Sequence, residues 1–407
     1  MISAAYFFFL LCGYYIIRPI REEMGVLGGV ENLQWLFSGT LIAMLSLLPL
    51  FGWITSRLPR RRFLPWVYGF FILHLLLFFG LLKTGYAGPW LAWAFFIWTS
   101  VFNLFVVSVF WSFMADIFRE EQAKRLFPCI AAGGTLGAIA GPLITTSLVQ
   151  LIGTADLLFL SALLLLGALL CIRRLAAMQR IVPAQTAEIP MGGGAFEGLW
   201  LILGSRYLMG ICLLILCYST LGTFLYFQQA EIIRDSFIDS AKRTAMFSSI
   251  DLAVNILTLL LQTVLTGRII KWLGLAGTLA AIPLLLAAGF AALGHWPLLA
   301  VLLTLQIVRR AGDYAVMRPT REMLFVILSR PEKYKAKNFI DTSVCRAGDT
   351  LSAWGYAGLG ALGLSLTQIA WLAVPIALFW ALIGYRLGIQ HHGLALSARG
   401  SARDYAT

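Results

Sequence analysis

RRAGDYAVMRPTREMLFVILSRPEKYKAKNFIDTSVCRAGDTLSA, residues 309–353, carries ionised side chains where the rest of the chain has few. Arg309, Arg310, Asp313, Arg318 and Arg321 interrupt an apolar run that starts near Pro297, and Asp341, Arg346 and Asp349 stand at the head of the next run. The whole chain of 407 residues is 60% hydrophobic and 12% charged, with a mean hydropathy of +0.84. A soluble domain carries roughly 25% charged residues. The composition therefore defines an all-α polytopic membrane protein. Charges at hydrocarbon depth cost several kcal/mol each unless they are paired or line a wet cavity, so the charges in 309–353 are read as functional.

A helix needs about 20 apolar residues to cross a bilayer. Twelve stretches meet that length: 2–27, 33–56, 63–82, 89–117, 125–152, 155–175, 203–232, 242–267, 274–294, 297–325, 336–362 and 365–388. The first is read as a span and not as a cleaved leader, because Arg18 and Arg21 lie at its far end and no small-residue cleavage site follows. Lys and Arg crowd the alternate connections 57–62, 119–125, 173–180, 268–271 and 330–337 and the tail from Arg386. By the positive-inside bias these connections, and both termini, face the cytoplasm of a bacterial inner membrane. The net charge of +12 is thus a matter of loop topology, and a nucleic-acid partner is not expected. The partners expected are the lipid bilayer and a small solute, with the protein acting as a monomer.

The six cysteines show no paired loop spacing and the four histidines no ligand spacing with carboxylates, so neither a metal nor another cofactor is expected. His391 and His392 are read as part of a solvated tail. No catalytic triad appears, and GGTLGA at 133–138 lacks the lysine and hydroxyl of a phosphate-binding loop. Its small residues suit close helix packing instead. The chain is not expected to be an enzyme.

A Pro- and Gly-rich connection, IVPAQTAEIPMGGG, separates the sixth stretch from the seventh. The expected organisation is a six-helix bundle at 1–175, a cytoplasmic linker at 176–202, a second bundle at 203–389 and a cytoplasmic tail at 390–407. The halves echo one another. GGTLGA at 133–138 and GDTLSA at 348–353 open the fifth and eleventh stretches, each after a basic loop, EEQAKR or EKYKAK. Two repeated halves with a site near the bilayer midplane form the plan of a secondary transporter.

On a helix entering at Pro297, Arg309 and Arg310 lie roughly 18–20 Å in, near the bilayer centre, and point about 100° apart. Asp313 is one turn on, within reach of one of them. Arg318 and Arg321 flank Pro319 closer to the cytoplasm, where long side chains reach the headgroups. In the first stretch Arg21 and Glu22 share a broad face with Arg18. Substrate contact is expected from Arg21, Arg309, Arg310 and Arg346. Gating or coupling is expected from Glu22, Asp116, Asp251, Asp313 and Asp349, with Asp251 the best placed carboxylate for an ion.

FWSFMADIFREEQAKR followed by LFPCIAAGGTLGAIAGPL, the first-stretch RPIREEMG, and PTREMLF followed by EKYKAKNFID and RAGD resemble the ATP:ADP antiporter (nucleotide transporter) family of major-facilitator carriers. The resemblance runs over most of the chain. It implies a twelve-helix major-facilitator fold with cytoplasmic termini and no cofactor, and Arg21 matches a basic residue in the family's first helix. The chain departs from the family twice. Asp349 aligns within the eleventh-helix Gly-Lys-Ser-Gly run, and Gln122 stands where the family has an acidic residue before Ala123. A carboxylate in place of a cation repels phosphate.

The function expected is therefore a secondary carrier exchanging a small anionic, nucleotide-like or phosphorylated solute by alternating access. Two alternatives are carried forward: a proton-coupled carrier of a zwitterion, siderophore-like compound or lipid, and a membrane receptor that transports nothing.

Overall fold

The computed structural model describes residues 1–57, 60–85, 88–118, 120–178, 197–329 and 332–404, and among them the regular structure is helical throughout. In a bilayer no water is present to satisfy backbone N–H and C=O groups, so apolar stretches of this length close their hydrogen bonds internally as helices. All twelve apolar stretches fall on helix. The helices are α1 (Ile2–Leu27), α2 (Leu33–Arg57), α3 (Arg60–Lys83), α4 (Pro89–Ile117), α5 (Glu120–Met178), α6 (Glu197–Leu203) and α7 (Arg206–Ser236). They continue as α8 (Ser240–Leu260), α9 (Thr266–His295), α10 (Leu299–Gly312), α11 (Arg318–Leu324), α12 (Lys337–Phe339), α13 (Cys345–Ala361) and α14 (Leu366–Asp404). Most of the linker lies outside the described residues.

Seven helices of the described residues are long and apolar enough to cross a membrane, including Arg125–Met178 with 54 residues and Ser240–His295 with 56. At 1.5 Å per residue, a straight helix of that size would be more than twice as long as the roughly 30 Å hydrocarbon core. Neither is straight. Gly153 at φ 82° breaks the first and Gly274 at φ 64° the second, in a conformation that a Cβ disfavours. These breaks fall between the fifth and sixth apolar stretches and at the start of the ninth.

The chain forms two compact units, Met1–Ile189 with Ala230–Asn255, and Pro190–Gln229 with Ile256–Thr407. In the first, α1 and α5 lie backbone to backbone along a row of glycines at four-residue spacing. A Cβ on Gly133, Gly137 or Gly141 would strike the carbonyl oxygen of Ala4, Phe8 or Cys12 respectively, the last at 2.7 Å. Small residues allow helices to approach this closely in a membrane, where packing must replace the hydrophobic effect. Ser161 donates to the Gly13 carbonyl at 3.0 Å, and the Tyr6 and Tyr68 hydroxyls meet at 2.6 Å inside an aromatic core with Phe7 and Phe110.

In the second unit the GDTLSA segment packs on side chains of α7. Gly348 lies against Leu216 and Ser219, and the Ser352 hydroxyl meets that of Thr220 at 2.9 Å. Gly384 and Gly388 of α14 lie against Leu279 and Ala276 of α9.

Candidate functional site

Three segments of the second unit form its polar group: the middle of α7, the end of α10 with the turn that follows, and the start of α13. Between α10 and α11, residues Asp313–Met317 form a π-helical turn, and another, Ile340–Val344, leads into α13. Such bulges recur at functional sites because the wider turn re-aims side chains. Pro319 supplies part of the cause. It has no N–H to offer the Ala315 carbonyl four residues back, and Thr266 Oγ1 donates to that carbonyl instead at 2.9 Å. The adjacent Tyr314 carbonyl accepts from Gln262 at 3.2 Å.

The widened turn also brings Asp313 to a partner five residues on: its Oδ2 accepts from Arg318 Nε at 3.0 Å and from the Tyr218 hydroxyl at 3.0 Å. Arg318 also lies 4.5 Å over the Tyr314 ring. The snorkelling expected of Arg318 is thus joined by an ion pair within the protein.

Arg309 is partly buried and has a neutral anchor. Its Nε donates to Gln306 Oε1 at 3.1 Å, and the Gln306 amide in turn donates to Gln229 Oε1. Among the described residues no carboxylate forms an ion pair with Arg309. Its Nη1 points at α7, where a Cβ on Gly222 would lie 3.1 Å from it. Arg310 is 8% exposed. At the head of α13, Asp349 accepts from Ser219 Oγ and, at 3.3 Å, from Arg346. Arg309 acts on the same carboxylate through space. A guanidinium kept charged and held through one nitrogen leaves planar paired donors for an anion.

The first unit holds a second polar group. Arg21 pairs with Glu22 at 3.1 Å, lies 4.6 Å over the Phe96 ring and is 3.4 Å from Ser100 Oγ. Arg18 pairs with Asp251 at 3.6 Å, and Asp251 is 2% exposed. The Asp116 side chain lies outside the described residues. Thus Arg309 and Asp313, and Arg346 and Asp349, fall within two segments of one unit, while Arg21, Glu22 and Asp251 belong to the other.

Sequence reading alone passes over Gln306, Ser219 and the buried pair of Glu23 with Arg243. Gln306 is three residues before Arg309 on the same helix face, a spacing that brings side chains together, and that signal was available. Nothing along the chain brings Glu23 to Arg243. No group of three His, Cys, Asp or Glu side chains among the described residues could hold a metal, and the six cysteines are free thiols.

Broken helices, paired charges within apolar spans and close glycine packing describe a membrane transporter, and the chain belongs to the Major Facilitator Superfamily, whose pattern matches residues 2–312. Its fold is that of solved carriers. A POT family transporter in complex with a thioalcohol-conjugated peptide superposes with a TM-score of 0.68 at 12% identity, over 96% of each chain. A bacterial homologue of the iron transporter ferroportin gives 0.65 at 13% identity over 96% of each. The D-xylose–proton symporter gives 0.64 at 15% over 95% of this chain and 97% of that one. Within the superfamily the chain is a divergent, ATP:ADP antiporter-like member. It is 22% identical to ADP,ATP carrier protein 2 of Chlamydia pneumoniae over 96% of its own length and 88% of the relative's. It is also 22% identical to ADP,ATP carrier protein 1 of Chlamydia muridarum, over 66% of this chain and 59% of that one. Family and fold point to a carrier and not to an enzyme.

Proposed function

We propose that this protein is a secondary carrier that moves a small anionic solute across a bacterial inner membrane by alternating access, with two six-helix halves, both termini in the cytoplasm and the monomer as the working unit. The observation that supports this most is Arg309: a guanidinium within an apolar span, anchored by a neutral amide and, among the described residues, in ion-pair contact with no carboxylate. Burying a permanent charge without a counter-ion is costly, and an anionic ligand removes that cost when it binds. Arg310 and Arg346 from the same unit and Arg21 from the first helix are the further contacts proposed for the solute. Asp349 competes with the solute for Arg346, and Glu22 for Arg21, so that the empty carrier keeps these charges paired.

Nucleotides belong in the test because the relatives are named ADP,ATP carriers. The purified protein is reconstituted in vesicles and offered labelled ADP and ATP, sugar phosphates, inorganic phosphate and small carboxylates, with and without the same solute inside. Uptake accelerated by internal solute supports exchange. If nucleotides fail and a smaller anion is carried, only the cargo changes; if no anion crosses or binds, the proposal falls.

A second function is kept on one observation: Asp349, held between Ser219 and Arg346, is a carboxylate able to trade its arginine for a proton. In that case uptake follows a pH gradient in empty vesicles. Asp251, paired with Arg18, is the other candidate for the same role.

A further inference from the structure

Two wide turns lie side by side in the second unit. Leu261–Leu265, between α8 and α9, is π-helical, as Asp313–Met317 is. The first supplies hydrogen-bond donors to the second. Gln262 Nε2 donates to the Tyr314 carbonyl at 3.2 Å, and Thr266 Oγ1, at the start of α9, donates to the Ala315 carbonyl at 2.9 Å.

These two carbonyls are the ones that the backbone leaves over. The Arg318 N–H reaches five residues back, to the Asp313 carbonyl, and the next residue, Pro319, has no N–H to give. In a regular turn the Arg318 N–H would bond Tyr314, four residues back, and only Ala315 would lack a backbone donor. Thr266 therefore serves Ala315 in either register, whereas Gln262 is needed in the wide register alone.

Register also decides which cation Asp313 meets. In the wide turn the residue five places on comes round to it, and Arg318 Nε donates to Asp313 Oδ2 at 3.0 Å. On a regular helix five residues put Arg318 about 140° round the axis from Asp313, on another face. The cation then left on the face of Asp313 is Arg309, four residues back.

We propose that the two π turns form one joint that switches the anion site. With Gln262 on Tyr314 the turn is wide, Arg318 holds Asp313, and Arg309 is left for a solute. With Gln262 withdrawn the turn closes to the regular register, Arg318 moves off, and Asp313 neutralises Arg309. The Tyr314 carbonyl has a donor in both registers, Gln262 in one and the Arg318 N–H in the other, so the change leaves no buried acceptor bare. Gln262 is thus a positioning residue: it acts on the charges through the backbone of the turn. This inference rests on the role proposed above for Arg309.

Cadmium(II), a soft ion that facing thiolates hold, reads the register without any solute. The full chain in detergent, with its native cysteines replaced, carries either Asp313→Cys with Arg318→Cys or Asp313→Cys with Met317→Cys. The cadmium concentration that half-blocks maleimide labelling is measured for each pair. The 313/318 pair is expected to be blocked at about tenfold or more lower concentration than the 313/317 pair, and Gln262→Leu is expected to reverse that order, since a buried carbonyl left without a donor is worth about this factor. Thr266→Val, which affects both registers alike, is expected to keep the order. Equal concentrations for the two pairs, an order unmoved by Gln262→Leu, or a reversal by Thr266→Val as well would each overturn the joint.

The link to the site is read separately on the chain with Asp313 intact. Gln262→Leu is expected to weaken binding of a transported anion about tenfold, and Asp313→Asn on that background to restore it, because the competing carboxylate is gone. Anion binding unmoved by Gln262→Leu overturns the switch. A reversed cadmium order in a protein that binds no anion leaves the joint standing and removes the carrier function instead.

Discussion

Arg309 donates its Nε to Gln306 across one helical turn, at 3.1 Å, and Gln306 passes its own amide on to Gln229. A relay of neutral amides fixes the direction of a cation without cancelling its charge. A carboxylate at either position would have done both.

Removing the charge is therefore expected to remove anion binding. Arg309→Gln should raise the half-saturating concentration of a transported anion by about a hundredfold, in line with the ~2–5 kcal/mol lost when one partner of a buried charge pair is truncated. Arg309→Lys keeps the charge but not the paired planar donors, and should fall between the two. Uptake kinetics in vesicles, with a thermal-shift titration as a check on binding, read the effect. Equal uptake by all three proteins would remove Arg309 from the site.

Gln306→Glu is the sharper variant because it changes no more than an amide to a carboxylate. It gives Arg309 a counter-ion in place, and a charge-assisted bond of that kind is roughly twice as strong as the neutral one it replaces. The protein should melt no lower than the parent while anion affinity falls at least about tenfold. Gln306→Leu, which frees the guanidinium from its anchor, should lower affinity through misdirection and lower the melting temperature as well.

Asp349 marks the departure from the antiporter pattern. Asp349→Asn should strengthen anion binding if the acid competes for Arg346, and should abolish the effect of a pH gradient if it carries a proton. Asp349→Lys restores the family's positive charge at that place and should shift preference toward solutes of higher negative charge. A competition series from singly to multiply charged anions measures the shift.

Gly141 has the Cys12 carbonyl 2.7 Å from where its Cβ would be. Gly141→Leu should separate α1 from α5 and destabilise the protein by ~1–3 kcal/mol, as overpacking of a close contact does. Gly393→Leu, where nothing lies within 4 Å, is the control. A fluorescence melt in detergent is the measurement, and equal melting of both variants would contradict the close approach.

Much of the architecture was legible along the chain. Apolar length and the placement of Lys and Arg act locally, so the twelve stretches and the small-residue reading of GGTLGA needed no knowledge of what lies opposite. The charged residues were legible as exceptions, since any ion in an apolar run stands out. Their partners were not. The π turn beside Pro319 brings Arg318, five residues on, and Tyr218, 95 residues back, to Asp313, and neither partner is legible from helical spacing.

What the sequence alone determined, then, is that the chain crosses a membrane many times, with arginines and acids held inside its apolar stretches; both follow from the free energy of moving one residue type out of water. Which charges neutralise one another was decided only by the tertiary structure. Ion pairs depend on distances of a few ångströms between helices, and those distances are set by glycine rows, helix breaks and hydroxyls far apart in the chain. Glu23 finds Arg243 and Arg18 meets Asp251 for that reason, whereas Arg309 with Gln306 and Arg346 with Asp349 are neighbours three residues apart on one helix.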